Sequence, residues 1–426
     1  MNIQEVFVIK KIFIFLIVLT INIKFLYSNW KDDAERRINK YRKAPLVIRV
    51  VDKNGKPIKN AKVSVKLIKH AFKFGGIVDV FGFFDEKNAS SKKRIKISPE
   101  KYKKLFLKFF NSAGFANALK YKLKRNRAKY AEEVINWFHQ NGISVRGHTL
   151  IWPGEKHLAS NIKKALDKPK LLKKLVTKSI IEYAKKWDVM EWDVLNEPRA
   201  NHLLQDIFGD EIMVEWFKLA RENAYNEDCK LYINENKIIS DNRDGFMDEY
   251  YNTIKYLIDN GAPIDGIGFQ TRFGPYIQPE VLYERLEKFA QLGLLMEATE
   301  FEIRGKKRKK GPFYDDDMRA KMTEEVMTVY FSHPSIVGIY AWTFVSDEPW
   351  ALVDENGKIK KNGEVWLNLV NNKWTTKADG ITNKNGEFKI RGFLGKYYIR
   401  VKFKGKQKKG KIKLEKKGKI VKVRFR

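Results

Sequence analysis

From about residue 70 to 368 the chain alternates short apolar runs with longer amphipathic stretches, and few folds accommodate that rhythm. The short runs read as strands buried on both faces, the stretches between them as helices with one apolar side. The candidate strands are Phe72–Gly75, Phe109–Gly114, Ser144–Thr149, Glu191–Asn196, Lys230–Asn234, Gly266–Gln270, Leu294–Thr299 and Ile336–Trp342. Helical patterns lie between most of them, as from Ala131 to Gln140 and from Met213 to Tyr225. Repeated βα units imply a parallel sheet. Eight such units in roughly 300 residues fit an α/β fold of the (β/α)8, or TIM, barrel type, whose chemistry lies at the C-terminal ends of the strands.

Two of those ends carry acids in similar settings. The run Trp187 to Leu195 stops at Asn196-Glu197-Pro198, and Leu294 to Thr299 stops at Glu300-Phe301-Glu302-Ile303. By this count the two acids follow the fourth and seventh strands. Glycosidic bond cleavage needs such a pair, one carboxyl to protonate the leaving oxygen and one to attack the sugar carbon. Either acid alone would read as a solvated loop residue.

The flanks have a different texture. Residues 45–68 alternate apolar and polar around Asn54-Gly55, which predicts a hairpin. Residues 370–426 alternate likewise around Asn385-Gly386, and the two β-rich pieces are expected to pack together as one small module. The organisation is therefore 1–28 leader, 29–69 N-terminal β-rich segment, 70–368 barrel and 369–426 basic C-terminal β-rich segment.

Residues 1–28 read as a secretory signal: Lys10 and Lys11 precede an apolar run from Ile12 to Ile23, and Ser28 offers a small residue before cleavage. Leu26 is a poor residue at the −3 position, so an uncleaved anchor is the alternative. The expected location is outside the cell or on its envelope. Cys229 is the sole cysteine of the chain, which excludes an internal disulfide, and its surroundings read as core.

Formal net charge is +33, and residues 371–426 hold 20 Lys+Arg against 3 Asp+Glu. A basic tail can bind nucleic acid or a membrane surface. Here the lysines alternate with Ile, Val, Tyr and Phe, as in a half-buried strand with a polar face. No zinc-finger, helix-turn-helix or RNA-binding pattern accompanies them, so nucleic acid is not an expected partner. The six histidines lack metal-ligand spacing, and no glycine loop for phosphate is present. Hydrolysis needs only water, so neither metal nor cofactor is expected, and a monomer suffices.

Several patches together resemble family 10 glycoside hydrolases, the family of retaining endo-β-1,4-xylanases. In order they are Phe110-Asn111-Ser112 through Asn117-Ala118-Leu119-Lys120, Arg146 to Trp152, Trp192 to Pro198, Leu231 to Asn236, Asp265 to Gln270, Ala298 to Ile303, and Ala341-Trp342 followed by Trp350. One patch is modest evidence; their order over residues 70–368 is specific. The resemblance also secures the first strand, whose pattern alone is weak.

The resemblance implies that Glu197 is the general acid/base and Glu300 the nucleophile. It implies that Asn196 bonds the sugar 2-hydroxyl, that His148 and Gln270 line the subsite at the cleavage point, and that Asn117 and Lys120 hold the next sugar. Trp152, Trp342 and Trp350 would form apolar floor and walls, and the first two would help keep Glu197 protonated. The chain departs from the pattern in three places. Ala116 replaces a sugar-binding glutamate, Arg272 replaces a histidine beside the nucleophile, and Pro153-Gly154-Glu155 replaces a more polar segment. An arginine stays charged, so Arg272 is expected to hold Glu300 ionised. The basic run Lys306 to Lys310 is a candidate contact for acidic decorations on the polymer. The implied activity is double-displacement cleavage of β-1,4 linkages in xylan-type polysaccharides. The alternatives are cleavage of another β-glycan, or a glycan-binding barrel that has lost catalysis.

Overall fold

The computed structural model describes residues 29–84, 95–123, 128–305 and 314–426. Its strands, in chain order, are β1 (Lys43–Val51), β2 (Lys62–His70), β3 (Lys73–Val78), β4 (Ser112–Phe115), β5 (Ser144–Ile151), β6 (Glu191–Asn196), β7 (Lys230–Asn236) and β8 (Gly266–Gln270). They continue as β9 (Arg272–Phe273), β10 (Leu295–Ile303), β11 (Ile336–Ala341), β12 (Lys377–Ile381), β13 (Glu387–Phe393), β14 (Gly395–Phe403), β15 (Lys406–Leu414) and β16 (Lys419–Arg424).

Eight parallel strands among the described residues close into a ring in the order β3, β4, β5, β6, β7, β8, β10, β11, with β11 pairing β10 on one side and β3 on the other. Helices follow most of them on the outside, completing the expected (β/α)8 barrel. The helices begin where sequence chemistry favours it. Ser98 caps the helix Pro99–Phe109 by accepting from Lys101 N, with proline in the first turn. Asp315 caps Asp316–Ser332 the same way, and two further aspartates sit in its positive first turn. Inside the ring large rings face glycines: a Cβ on Gly75 would lie 2.1 Å from the Tyr340 ring, and one on Gly266 would lie 2.2 Å from that of Tyr232. Only a residue without a side chain fits beside these buried tyrosines.

The weak first strand is Lys73–Val78, shifted toward the C-terminus from the expected Phe72–Gly75. Phe109 is the last residue of a helix, so the second strand begins only at Ser112. The seventh strand runs to Ile303 because Glu302-Ile303 continues above the rim to pair with Arg272-Phe273. Glu300 therefore lies within a strand, not after it.

The flanks form one two-sheet module. One sheet has the order β13-β1-β16 and the other β12-β2-β14-β15. The expected hairpin between β1 and β2 is not formed, since the two strands belong to different sheets. The turn itself exists: Gly55 has φ +86°, and Asp52 Oδ1 accepts from the backbone N–H groups of Asn54 and Lys56 at 2.9 Å each. Beyond it Pro57 offers no N–H, and Asn60 adopts φ +61°, which turns the chain into the facing sheet. Leu46, Ile48 and Val50 from β1, Val63 and Val65 from β2, and Ile399 and Val401 from β14 are all buried in one core. The N-terminal segment also opens with a helix, Trp30–Tyr41, that was not expected; it buries only Ala34 and Ile38, too few for a readable stripe.

The module sits at the N-terminal rim of the barrel, because β2 runs directly into β3. Arg42, buried, donates to the carbonyls of Phe331, His333 and Ile336 just before β11. Trp374 stacks on Phe331 with centroids 4.2 Å apart. The expected leader, residues 1–28, lies outside the described residues.

Candidate active site

Glu197 follows β6 with φ +53°, the left-handed region that a side-chain-bearing residue enters at a cost of about 1–3 kcal/mol. The surroundings hold it there. Its N–H donates to Asn234 O at 2.7 Å, and its carbonyl accepts from Asn201 N at 3.0 Å. Two residues on, Arg199 N donates to the carboxylate of Glu235 at 3.0 Å, and that carboxylate also accepts from Asn236 N at 2.8 Å. The end of β7 thus pins the turn that carries Glu197. The Glu197 carboxyl accepts from Gln270 Nε2 at 2.7 Å and from Asn201 Nδ2 at 3.1 Å. Asn201 reaches it because Gly154 leaves room; a Cβ there would lie 2.4 Å from Asn201 Oδ1. The hydrogen-bond partners of the Glu197 carboxyl are thus two amides.

Glu235 is fully buried, and burial pushes its carboxyl up to about 7, against the two backbone donors and Arg199 and with the charge of Glu197.

Glu300 sits where the register of β10 against β11 breaks, between Ala298 and Phe301. Such irregularities re-aim a side chain at a barrel rim. Its carboxyl is buried and forms an ion pair with Arg272 Nη2. Burial raises the carboxyl above its usual range; Arg272, His148 and Lys120 oppose that, and Glu197 adds to it. Arg272 therefore acts in the expected direction, but burial outweighs it. The guanidinium also lies 4.4 Å from the Trp342 ring centroid and 3.9 Å from Glu302, which accepts from Thr343 and pairs with Arg304. Arg304 in turn lies over Trp350, 5.3 Å from its centroid.

His148 Nδ1 is 2.8 Å from Asp193 Oδ2, at the head of an ionic network inside the barrel. Arg146 pairs with Asp193 and, at 2.8 Å, with Glu297; Lys73 bonds Glu297 at 2.7 Å and pairs with Glu191. Burial alone would lower the guanidinium of Arg146, but Asp193 and Glu297 outweigh it and the net direction is upward. Unpaired, each ion would cost several kcal/mol to bury. The signal in the sequence is a charged residue on an otherwise apolar strand: Arg146, Glu191, Asp193 and Glu297 all fit it.

A second relay fixes an amide. Thr299 Oγ1 donates to Asn234 Oδ1 at 2.7 Å, and Asn234 Nδ2 donates to Asn196 Oδ1 at 3.0 Å. Asn196 Nδ2 is left buried with no partner among the described residues. Its amide is oriented with a donor still to place. Lys120 Nζ donates to Asn117 Oδ1 at 3.2 Å, sits 4.9 Å from the Trp152 centroid, and is lowered to about 8, by burial first, against the charges of Glu300 and Glu197. His157 stacks on Trp152 at 3.4 Å with a 6° interplanar angle, so that face of the indole is closed to sugar. Asn117, Lys120, Trp152 and His157 line a cavity of about 190 Å³. The side chain of Ala116 carries no hydrogen-bond acceptor.

All eleven expected site residues join one set of contacts at the C-terminal rim. Asn201, Glu235, Asn234, Thr299, Glu302, Arg304 and His157 were not anticipated as members. The run Lys306 to Lys310 lies outside the described residues. Among the described residues no group of three or more His, Cys, Asp or Glu is placed to hold a metal ion.

The family model described as glycosyl hydrolase family 10 matches residues 79–377. The anti-sigma-I factor RsgI6 of Acetivibrio thermocellus is 30% identical over 393 residues, covering 89% of this chain and 47% of that protein. Endo-1,4-beta-xylanase 1 of Arabidopsis thaliana is 27% identical over 380 residues, 86% of this chain and 37% of that protein. The chain thus spans less than half the length of either relative. Among solved structures, xylanase 10B from Thermotoga petrophila in complex with xylobiose aligns with TM-score 0.59 at 23% identity, over 71% of this chain and 95% of that one. At that identity the likeness concerns the fold.

Proposed function

Because the chain belongs to glycosyl hydrolase family 10, we propose that it cleaves β-1,4 linkages in xylan-type polysaccharides by double displacement. The observation that carries this reading is the approach of two differently furnished carboxyls at the C-terminal rim, Glu197 just after the fourth barrel strand and Glu300 within the seventh. Glu300 attacks the anomeric carbon while Glu197 gives its proton to the departing glycosidic oxygen, leaving a glycosyl ester on Glu300. Glu197, now ionised, takes a proton from water; the resulting oxygen attacks the same carbon, and Glu300 leaves as carboxylate. Gln270 and Asn201 orient Glu197 throughout, and Arg272 balances the charge that returns to Glu300. Asn196, whose side-chain N–H group lacks a partner among the described residues, would donate to the 2-hydroxyl. Lys120 and Asn117 would hold the next sugar, with one hydrogen bond fewer than a glutamate at position 116 would give, a difference of about 1–2 kcal/mol.

Xylan as substrate is supported by relatives that are themselves named xylanases. The apolar N-terminal run supports export. A product profile on a panel of β-1,4-linked polysaccharides tests the reading, with Glu197→Gln and Glu300→Gln as controls. Parental rates in both variants would remove these residues from the chemistry.

A second reading is favoured by one observation: the relative matching 89% of this chain is named an anti-sigma factor. In it the cleft binds glycan and reports its presence, and the N-terminal run stays as an anchor. Xylan binding without release of sugar by the parental chain distinguishes it.

A further inference from the structure

The four-stranded sheet of the flanking module turns one face to solvent, and its register sets like charges side by side across that face. Lys402 stands opposite Lys62 and Lys66 opposite Lys377; Lys396 stands opposite Lys413 and Arg400 opposite Lys409. All eight are exposed. Among the described residues only Lys413 of these eight forms an ion pair, with Glu415 at 2.9 Å. Asp379 is the one acid in these rows of the face. Cross-strand pairs of like charge are destabilising, and lysine is a poor strand former. Basic residues on an edge strand guard against edge-to-edge association, which accounts for β15. That account fails for β2 and β14, which are interior strands of the sheet and carry Lys62, Lys66, Lys396, Arg400 and Lys402.

We propose that this basic sheet face is a binding site for a carboxylate-bearing polysaccharide, separate from the catalytic cleft. Fixed anions spaced along a polymer would relieve the repulsion that the register builds in. Tyr398 lies half-buried between Lys66 and Lys411 and offers a ring on which a sugar can pack. A single ring among so many cations suits a sugar polymer better than single-stranded nucleic acid, whose platforms stack successive bases on several aromatics. The module is seated at the N-terminal rim and the cleft opens at the other end, so a polymer held on the face leaves the cleft free. Holding one part of a cell-wall matrix would raise the local concentration of neighbouring chains at the cleft.

The test uses the full chain carrying Glu300→Ala, so that binding is read without cleavage and does not depend on the proposed chemistry. Its affinity for polygalacturonate, with carboxylates on the backbone, and for glucuronoxylan, with carboxylates on side groups, is measured by calorimetry at 50 and 500 mM NaCl. The expected result is binding to at least one of them that weakens about tenfold or more at the higher salt, as screening demands, and is lost with the carboxyl-reduced polymer. Which polymer binds tells the two carboxylate sources apart. Replacing Lys66, Arg400 and Lys402 together by Gln should weaken binding about tenfold or more, and by Glu further, since local charge sets the attraction. Replacing Lys170, Lys174 and Lys178 on the barrel by Gln removes the same charge and should leave affinity unchanged. Equal loss in both triple variants would overturn the site, since net charge would then explain the binding. So would unaltered binding of the carboxyl-reduced polymer, or tighter binding of duplex DNA or phosphatidylserine vesicles. In the Glu300-intact background, unchanged hydrolysis of a small aryl xyloside by each variant checks that it is folded.

Discussion

Replacing Arg272 by methionine removes the cation paired with Glu300 while keeping a chain of similar length against Trp342. In the proposed role of nucleophile Glu300 acts only when ionised, so on that reading the acid limb of kcat/KM follows its carboxyl in the free enzyme. Burial already raises that carboxyl and Arg272 is the first of the charges opposing it. Two unit charges 4 Å apart interact by about 4 kcal/mol at an effective dielectric constant of about 20. At 1.36 kcal/mol per pH unit this sets an upper bound of about three pH units. The Arg272 side chain is 26% exposed, so solvent screens part of the interaction. The expected outcome is an acid limb displaced by about one to two units toward higher pH. On the parental acid limb that displacement is a 10- to 100-fold loss, shrinking toward the plateau. Arg272→Lys should restore much of the profile because it restores the charge. The assay is kcat/KM for an aryl xylobioside across the pH range, with chemistry rather than release limiting. Coincident acid limbs in the parent and Arg272→Met would refute the view that this ion pair sets the ionisation of Glu300.

Three further outcomes are expected. Glu197→Gln should lower kcat by about 10²–10⁴ on xylan, where the leaving alkoxide needs a proton, and far less in the first step with a nitrophenyl leaving group; equal losses on both would contradict its role as acid. Glu235 has a folded carboxyl at about 7 against an ordinary 4.5, so the native state binds the extra proton and stability falls as pH rises through that window, the penalty being complete above 7. Denaturant titrations should therefore show Glu235→Gln gaining on the parent by about 3 kcal/mol between pH 4 and pH 8.5, and a pH-independent difference would sink the assignment. Arg42→Ala leaves buried carbonyls of Phe331, His333 and Ile336 without their donor and should destabilise by about 1–3 kcal/mol in the denaturation midpoint, with kcat at the optimum unchanged because the seam lies at the opposite rim.

The barrel was legible because short strands rich in buried apolar residues alternate with amphipathic stretches, a rhythm that repeated βα units impose. Glu191–Asn196 and Gly266–Gln270 were bounded as the structure has them. Where strand ends were misjudged, the cause was tertiary. Leu295–Ile303 is prolonged by its pairing with Arg272-Phe273, a partner no local pattern reveals. The hairpin failed for a related reason: alternation fixes which side chains point inward, not which strand lies alongside. Both Lys43–Val51 and Lys62–His70 alternate as expected, yet each pairs with strands more than 300 residues away in the chain. In the site, the residues expected to meet sugar stood out as motifs. Their supports did not, because Asn201, Glu235 and Thr299 act through one or two hydrogen bonds each, and those depend on which strand ends and turns the fold brings together.

The supports explain how one rim keeps two carboxyls different. Glu197 lies in a strained turn, and three struts that hold it there come from two other strand ends: Asn234 and Glu235 from β7, Gln270 from β8. Glu300 lies at a register break on β10 and is balanced by a cation anchored to Glu302 two residues along the same strand. The first arrangement places amide donors around the carboxyl proposed to give and recover a proton. The second places a permanent charge beside the carboxyl proposed to act in its ionised form in a buried setting. Glu302 and the Trp342 face hold the Arg272 guanidinium beside Glu300; turned toward solvent, that charge would oppose less of the burial that raises the Glu300 carboxyl.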